Sequence, residues 1–163
     1  MISIIAAIGE NREIGADNGL LWRLPDDMRR FRELTTGHTV IMGRRTFESL
    51  PKGALPNRTN VVITGNSSLS LDNCILFNDL SAAIEYFKEE SEIFVIGGES
   101  IYRQSMAFAD KLYITLVRRS FANADKFFPE IHASEWVLTQ SEAHESDAKN
   151  PFPYVFQTYI KKK

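Results

Sequence analysis

The sequence predicts an α/β fold, a mostly parallel sheet with helices packed on it, and three observations lead there. Apolar, β-branched runs recur along the chain as strands buried on both faces would. Segments of helical period separate most of them. The last two runs have no helix between them, so the chain ends in an antiparallel hairpin closing one edge of the sheet.

Taken in order, residues 2–8 are almost continuously apolar and form the first strand. A loop over residues 9–21 follows, carrying Gly15 and Gly19, and it is long for a strand-to-helix connection. Loops of that length in compact domains are often active-site lids. Pro25 then opens a helix, because its fixed φ and missing N–H suit the first helical position. Residues 39–42 form the next strand, with a helix over 45–50. A strand at 60–64 precedes a helix over 80–88, and a strand at 93–96 precedes one over 99–106. Residues 112–117 make a further strand, and 136–139 with 154–160 make the terminal hairpin. No internal repeat, low-complexity block or interdomain linker interrupts this order, and 163 residues suffice for one domain with a substantial core.

Composition narrows the function. With 44% hydrophobic and 25% charged residues the chain is an ordinary globular protein. A formal net charge of -2 argues against a nucleic-acid partner, which calls for a basic face. The cationic tail Lys161-Lys162-Lys163 reads as a solvated end. Cys74 is the single cysteine, which excludes an intrachain disulfide and points to a reducing compartment. The apolar start has no basic leader, and no run approaches the roughly 20 residues of a membrane span. The expectation is a cytoplasmic protein with no membrane partner and no need of more than a monomer.

Chemistry concentrates at the strand-to-helix junctions, since open α/β sheets bind ligands beyond the carboxyl ends of their strands. In the stretch from Trp22 to Phe31, Asp27 falls between apolar Leu24, Met28 and Phe31. A carboxylate on an apolar stripe calls for a partner. Negative charge is also at home in a first helical turn, and spacing alone favours that role for both Asp26 and Asp27. At Met42-Gly43-Arg44-Arg45-Thr46 a glycine turn leads two arginines into a helix start, where a bound phosphate would reconcile them with the helix dipole. Taken alone, the motif favours two solvated arginines with Glu48 as local compensation. Ile96-Gly97-Gly98-Glu99-Ser100 joins a buried strand to a helix through paired glycines. It is either a cradle for a pyrophosphate or a tight turn that needs glycine torsions. It does not match GxGxxG, and no P-loop is present. Thr64-Gly65-Asn66-Ser67-Ser68 is a weaker third junction. His38, His132 and His144 have no metal-ligand spacing, and no GxSxG elbow occurs, so neither a metal centre nor a hydrolase is expected.

In order, Ile4-Ile5-Ala6-Ala7, Ile14-Gly15, Trp22-Arg23-Leu24-Pro25-Asp26-Asp27, the run from Val40 through Gly43 to Ser49, Leu55-Pro56-Asn57-Arg58, Val95-Ile96-Gly97-Gly98 and Leu112-Tyr113-Ile114-Thr115 resemble the dihydrofolate reductase family, bacterial type, over nearly the whole chain. The resemblance implies a single domain around a central mixed, mostly parallel eight-stranded sheet, with an antiparallel C-terminal hairpin strand and four flanking helices. Residues 38–90 would form an adenosine-binding lobe inserted within it.

The same resemblance implies NADPH-dependent reduction of 7,8-dihydrofolate to 5,6,7,8-tetrahydrofolate, with antifolates taking the substrate pocket. Asp27 would accept hydrogen bonds from the pterin edge, supported by Thr115, with Trp22 and Leu20 completing the catalytic set. Ile5, Ala6, Phe31 and Leu50 would wall the pocket and Leu55 would pack on the aminobenzoyl ring. Met28, Ser49, Ile96 and Tyr102 would add substrate contacts. Arg58 would clamp the glutamate carboxylate bidentately, which lysine does poorly.

For the cofactor, Arg44, Thr64 and Gly65 would lie near the adenosine 2′-phosphate, and Arg45 and Thr46 near the pyrophosphate. Gly97, Gly98, Ser100 and Ile101 would cover its other side, with a cis peptide between the two glycines. Ala7 and Ile14 would hold the nicotinamide carboxamide. Gly15, Asn18, Gly19, Gly43, Ile63, Ile96, Glu99 and Tyr102 complete the implied cofactor contacts. Leu21 departs from the family pattern, standing where proline is common, and Asn78 stands near where some relatives place a basic residue.

Two other readings remain at this point. A pyrimidinone reductase of riboflavin synthesis also uses NADPH, and a catalytically silent nucleotide-binding module needs no acid at position 27.

Overall fold

The computed structural model describes residues 1–15, 21–66 and 68–163. Leu20, Asn18 and Gly19 of the expected site lie outside the described residues, as does Ser67 of the third junction.

Strands β1 (Ile2–Ile8), β3 (Thr39–Gly43), β4 (Thr59–Ile63), β5 (Cys74–Phe77), β6 (Ile93–Gly97), β7 (Lys111–Val117), β9 (Trp136–His144) and β10 (Tyr154–Lys161) form one sheet. Their spatial order is β5-β4-β3-β6-β1-β7-β10-β9. Every pairing from β5 to β7 is parallel, and β10 alone runs against its neighbours β7 and β9. Helices α1 (Pro25–Thr35), α2 (Arg44–Glu48), α3 (Leu80–Tyr86) and α4 (Glu99–Ser105) complete the expected four. No helix among the described residues is long and apolar enough to cross a membrane.

The centre of the sheet follows from composition. Ile4, Val40, Ile41, Phe94, Val95, Leu112 and Ile114 are fully shielded from solvent, as a parallel sheet covered on both faces requires. One core cluster lies on the face with Phe87, Ile101, Tyr102 and Phe128. A second lies on the other face, where Ile5, Val40, Met42, Phe94 and Tyr113 meet Phe31 and Leu34 of α1.

Three elements depart from the sequence reading. Strand β5 went unseen because it is short, sits at the sheet edge and has no fully buried residue. Strand β9 runs on to His144 rather than stopping at 139, since an exposed edge strand tolerates the polar sequence Gln140-Ser141-Glu142. Part of the long loop forms β2 (Glu13–Gly15), which pairs with β8 (Lys126–Phe127) in a separate two-stranded sheet. Its anchor is Glu13, only 2% exposed, whose carboxylate accepts from the backbone N–H groups of Asn11 and Phe121.

Helix α1 starts without a side-chain cap from its own N-cap residue, Leu24. Pro25 has no N–H to satisfy, and the N–H of Asp26 donates instead to Oδ1 of Asn150 at 3.1 Å, from the far hairpin loop. Asp26 accepts from the Tyr154 hydroxyl and from Arg29, so its work is structural. One residue on, Asp27 turns toward the sheet.

Candidate active site

The sheet opens at the carboxyl ends of β1 and β6. Their pairing stops at Ile4↔Val95, and the Tyr102 hydroxyl takes over from the next rungs. It lies 2.9 Å from the carbonyl oxygens of both Ile5 and Ile96, sharing one proton between them. Burial pushes the Tyr102 phenol well above its ordinary pKa, and the nearby Asp27 charge adds to that. It therefore remains a neutral donor. The cleft falls where ligands bind in open α/β sheets.

On one side of the cleft stands Asp27. The Thr115 hydroxyl, from β7, donates to Asp27 Oδ1 at 2.6 Å. Burial raises the Asp27 pKa, and the Thr115 hydrogen bond and the Arg30 cation act against that rise. Ile5, Phe31, Leu50, Leu55 and Ile96 all belong to the apolar cluster on this face, so the expected pocket walls do come together. Ala6 faces the opposite core cluster, as its place between Ile5 and Ala7 on a strand dictates. Met28 is 47% exposed and lies off the stripe that Asp27 shares with Leu24 and Phe31. Trp22 packs on Phe121 with ring centroids 4.9 Å apart, next to the Leu24–Val117–Tyr154 cluster.

Arg58 lies at the outer end of the same face, its guanidinium carbon 5.9 Å from the Phe31 ring centre. Its Nε donates to Pro56 O at 2.9 Å and its Nη1 to Thr35 Oγ1 at 3.0 Å. Nη2 makes no hydrogen bond among the described residues. Partial burial, and then the neighbouring Arg32 charge, lower the Arg58 pKa, but a guanidinium stays charged at any physiological pH.

The loop that carries Leu55 and Arg58 is stapled by buried Asn60. Its Oδ1 accepts from Leu55 N at 2.9 Å, and its Nδ2 donates to the carbonyls of Leu55 at 2.9 Å and Arg58 at 3.1 Å. Asn60→Ala is expected to lose about 2 kcal/mol of stability, because it strands buried backbone groups. Chemical denaturation followed by circular dichroism measures this, and an unchanged midpoint would dismiss the staple.

Across the cleft, strand register aligns the ends of four strands: Met42 pairs with Gly97, Gly43 with Ile63, and Ile63 with Phe77. Gly97-Gly98 is a cis peptide, and Gly97 has φ +132°. A Cβ on Gly98 would lie 3.1 Å from Thr46 Oγ1, and one on Gly97 would lie 3.4 Å from the Tyr102 hydroxyl. A Cβ on Gly43 would press on Ile101 at 3.3 Å. Three segments thus approach so closely that only glycine leaves a backbone trough beside the Thr46 hydroxyl.

Arg44 pairs with Glu48 at 3.3 Å on the exposed flank of α2, the local compensation weighed above, while Arg45 is exposed. Ser49 Oγ donates to Thr46 O at 2.6 Å. Thr64 Oγ1 accepts from Asn66 N at 3.2 Å, and Gly65 is open to solvent. Glu99 spends its carboxylate on Phe127 N and Arg103, Ser100 is exposed, and Ile101 is buried. Ala7 is half-buried at the end of β1, while Ile14 packs on the core from β2, whose last residue is Gly15.

Three residues that shape the site escaped the sequence reading: Asn60, Glu13 and Arg30. Only Arg30 left a trace, its position three residues after Asp27 on a helix.

The chain is similar to known proteins in sequence and in fold. A family model described as dihydrofolate reductase matches residues 1–161. A dihydrofolate reductase of Bacillus subtilis (strain 168) is 42% identical over 162 residues, covering 99% of this chain and 95% of that protein. One from Staphylococcus aureus is 35% identical over 162 residues, covering 99% of both. A solved structure, dihydrofolate reductase from Enterococcus faecalis complexed with NADP(H) and RAB-propyl, superimposes with a TM-score of 0.92 at 31% identity, covering 100% of this chain and 97% of the other.

Proposed function

The chain belongs to the dihydrofolate reductase family and reduces 7,8-dihydrofolate to 5,6,7,8-tetrahydrofolate with NADPH, and we propose that Asp27, Thr115 and Arg58 hold the substrate for that reaction. The observation that carries the assignment is the Thr115–Asp27 hydrogen bond at the mouth of an apolar cleft, with a guanidinium fork further along the same face.

Asp27 offers its Oδ2 and the free lone pairs of Oδ1 to a donor–donor edge, and the amino group and ring N–H of a pterin are such an edge. Ile5, Phe31, Leu50 and Leu55 cover the flat rings. Arg58 takes the glutamate carboxylate through the N–H groups not engaged with Thr35 and Pro56. The family match over residues 1–161 sets the riboflavin-pathway reading aside. A silent binding module would not need a half-buried acid turned into the cleft.

The trough between Thr46 and Gly97-Gly98 fits the diphosphate of NADPH, because its only bulk is a hydroxyl donor and glycine backbone. Arg44 and Arg45 open α2 just past β3, and Thr64 follows β4, where phosphate charge calls for them. Bound there, NADPH supplies the hydride that reduces the pterin C=N bond. The nitrogen of that bond takes a proton that comes ultimately from solvent. The Asp27 charge, in a pocket of low polarity, orients the ring and makes that nitrogen more basic. Residues 38–90 act as the lobe that carries the adenosine end. Antifolates with the same donor edge compete for Asp27. Every group in this scheme comes from one chain, so a cytoplasmic monomer suffices, and the lone Cys74 suits a reducing compartment.

Loss of NADPH absorbance on adding dihydrofolate tests the reading, with NADH and a riboflavin-pathway pyrimidinone as comparison arms. Oxidation of NADPH by the pyrimidinone but not by dihydrofolate would overturn it. Gly97→Ala probes the trough separately. Its φ of +132° strains any side chain, so NADPH affinity is expected to fall at least tenfold, on the order of 1.4 kcal/mol. Quenching of tryptophan fluorescence measures this, and unchanged affinity would show that the cofactor does not use the trough.

A further inference from the structure

The geometry points to Arg30 as a positioning residue for the reaction: its cation, held over Phe156 and Tyr113 one helical turn from Asp27, keeps the Asp27 carboxylate ionised without touching it. This rests on the assignment of Asp27 as the pterin-binding acid.

Helix α1 and the sheet meet in register. Residues three apart on a helix share a face, with Cβ atoms about 5–6 Å apart, so Asp27 and Arg30 look onto the same strands. Beneath them, Thr115 of β7 pairs with Phe156 of β10, and Phe156 with Glu142 of β9. One rung across three strands therefore presents a hydroxyl, an aromatic ring and a carboxylate in sequence. The helix answers with its acid over the hydroxyl, at 2.6 Å, and its cation over the ring, at 4.4 Å from the ring centre. The Tyr113 ring, from the next position on that face of β7, is 5.7 Å from the same guanidinium.

A solvated surface arginine would not be built this way. Arg30 is half-buried between two aromatic faces, and burial lowers its pKa while Asp27, Tyr113 and Glu142 raise it. Guanidinium tolerates that setting because its charge is delocalised and weakly hydrated, and it stays protonated. Arg30 makes no ion pair closer than 4.0 Å with Asp27 among the described residues. That separation matters, because a direct salt bridge would occupy the oxygens the substrate needs. A cation further off stabilises the charge through space and leaves the acceptors free.

The other groups facing the pair are accounted for. Asp26 is held by Tyr154 and Arg29, and the Tyr102 phenol is neutral. The Tyr113 hydroxyl donates to Glu92 at 3.3 Å, away from the pair. Glu142, at the solvent edge of β9, faces Arg30 and adds to the field that holds the guanidinium charged. Arg30 is thus the cation that faces Asp27 from its own helix, and burial of Asp27 is the force it opposes.

The test compares Arg30→Met and Arg30→Gln, which keep bulk over Phe156 without charge, with Arg30→Lys, which keeps the charge. The Asp27 carboxyl is titrated directly by 13C NMR with oxidised cofactor bound, Asp27→Asn identifying its resonance. The same variants give pH profiles of kcat/KM for dihydrofolate. Loss of the cation is expected to move the Asp27 midpoint up by roughly one pH unit, the lower end of what a neighbouring guanidinium does to a carboxylate. Arg30→Lys should restore most of the difference. A midpoint that stays put in Arg30→Met and Arg30→Gln, or that moves equally in Arg30→Lys, would overturn the proposal. If Arg30→Met does not fold, Arg30→Lys against Arg30→Gln decides it. A moved NMR midpoint with an unmoved rate profile upholds the Arg30 coupling and removes Asp27 from the reaction instead.

Discussion

Asp27→Asn is expected to lower turnover at neutral pH by about 10²–10³-fold, the range lost when one preorganised electrostatic contact is removed. Asparagine keeps the shape and can still accept from the Thr115 hydroxyl. Its NH2 group, however, meets the donor edge of the pterin with donors of its own, and the negative charge is gone. NADPH affinity should stay within a factor of about two, since the trough lies across the cleft and separate sites of this kind act nearly independently. Single-turnover hydride transfer, with cofactor binding measured separately, distinguishes these effects. Unchanged turnover would remove Asp27 from the mechanism.

The same variant is expected to melt higher than the parent at pH 7. Burial raises the folded-state pKa of Asp27 above the ordinary carboxylate value, so the native protein holds that proton more tightly than the unfolded chain does. Stability then falls as pH rises from the unfolded value through the folded one. At neutral pH the ionised acid is carried at a cost that asparagine avoids. The advantage should shrink as pH falls and vanish below the unfolded pKa. A melting difference that does not change with pH would mean the burial of charge is not its cause. Such a trade of stability for activity is common where a site must hold an uncomfortable group.

Arg58→Leu is expected to raise KM for dihydrofolate by roughly 10–100-fold, equivalent to about 1.4–2.8 kcal/mol for a charge-assisted, bidentate contact. The kcat should change little, because the glutamate tail is held alike in the ground and transition states. KM for NADPH should not move. Arg58→Lys should recover only part of the loss, since a single ammonium cannot hold Thr35, Pro56 and a carboxylate in one plane. A folate analogue without the glutamate should lose its sensitivity to the substitution. Steady-state kinetics with both substrates checks each point, and equal effects on the two KM values would show the clamp is misplaced.

Much of this molecule is legible along the chain because much of it is local. The buried parallel strands announce themselves as apolar runs, Pro25 marks a helix start, and the paired glycines mark a backbone approach. The helices came close to their observed bounds for the same reason. The elements that were missed, β5, β2 with β8, and the outer half of β9, lie at edges. Burial imposes little pattern there, and polar residues are tolerated.

The chemical types of the site were also in the sequence: an acid on an apolar stripe, two arginines at a strand end, a lone Arg58. Spacing alone nevertheless favoured a helix-start role for Asp27. Tertiary structure reversed that by bringing Thr115 to it from 88 residues away, while Asp26, one position earlier, turned to Tyr154. Asn60, Glu13 and Arg30 acquire meaning only through partners that folding supplies: a loop closed on a strand, the N–H of Phe121, and the ring of Phe156. Periodicity reports which way a side chain faces, whereas strand register decides what it faces. Register is set by the whole sheet, and no local stretch of sequence contains it.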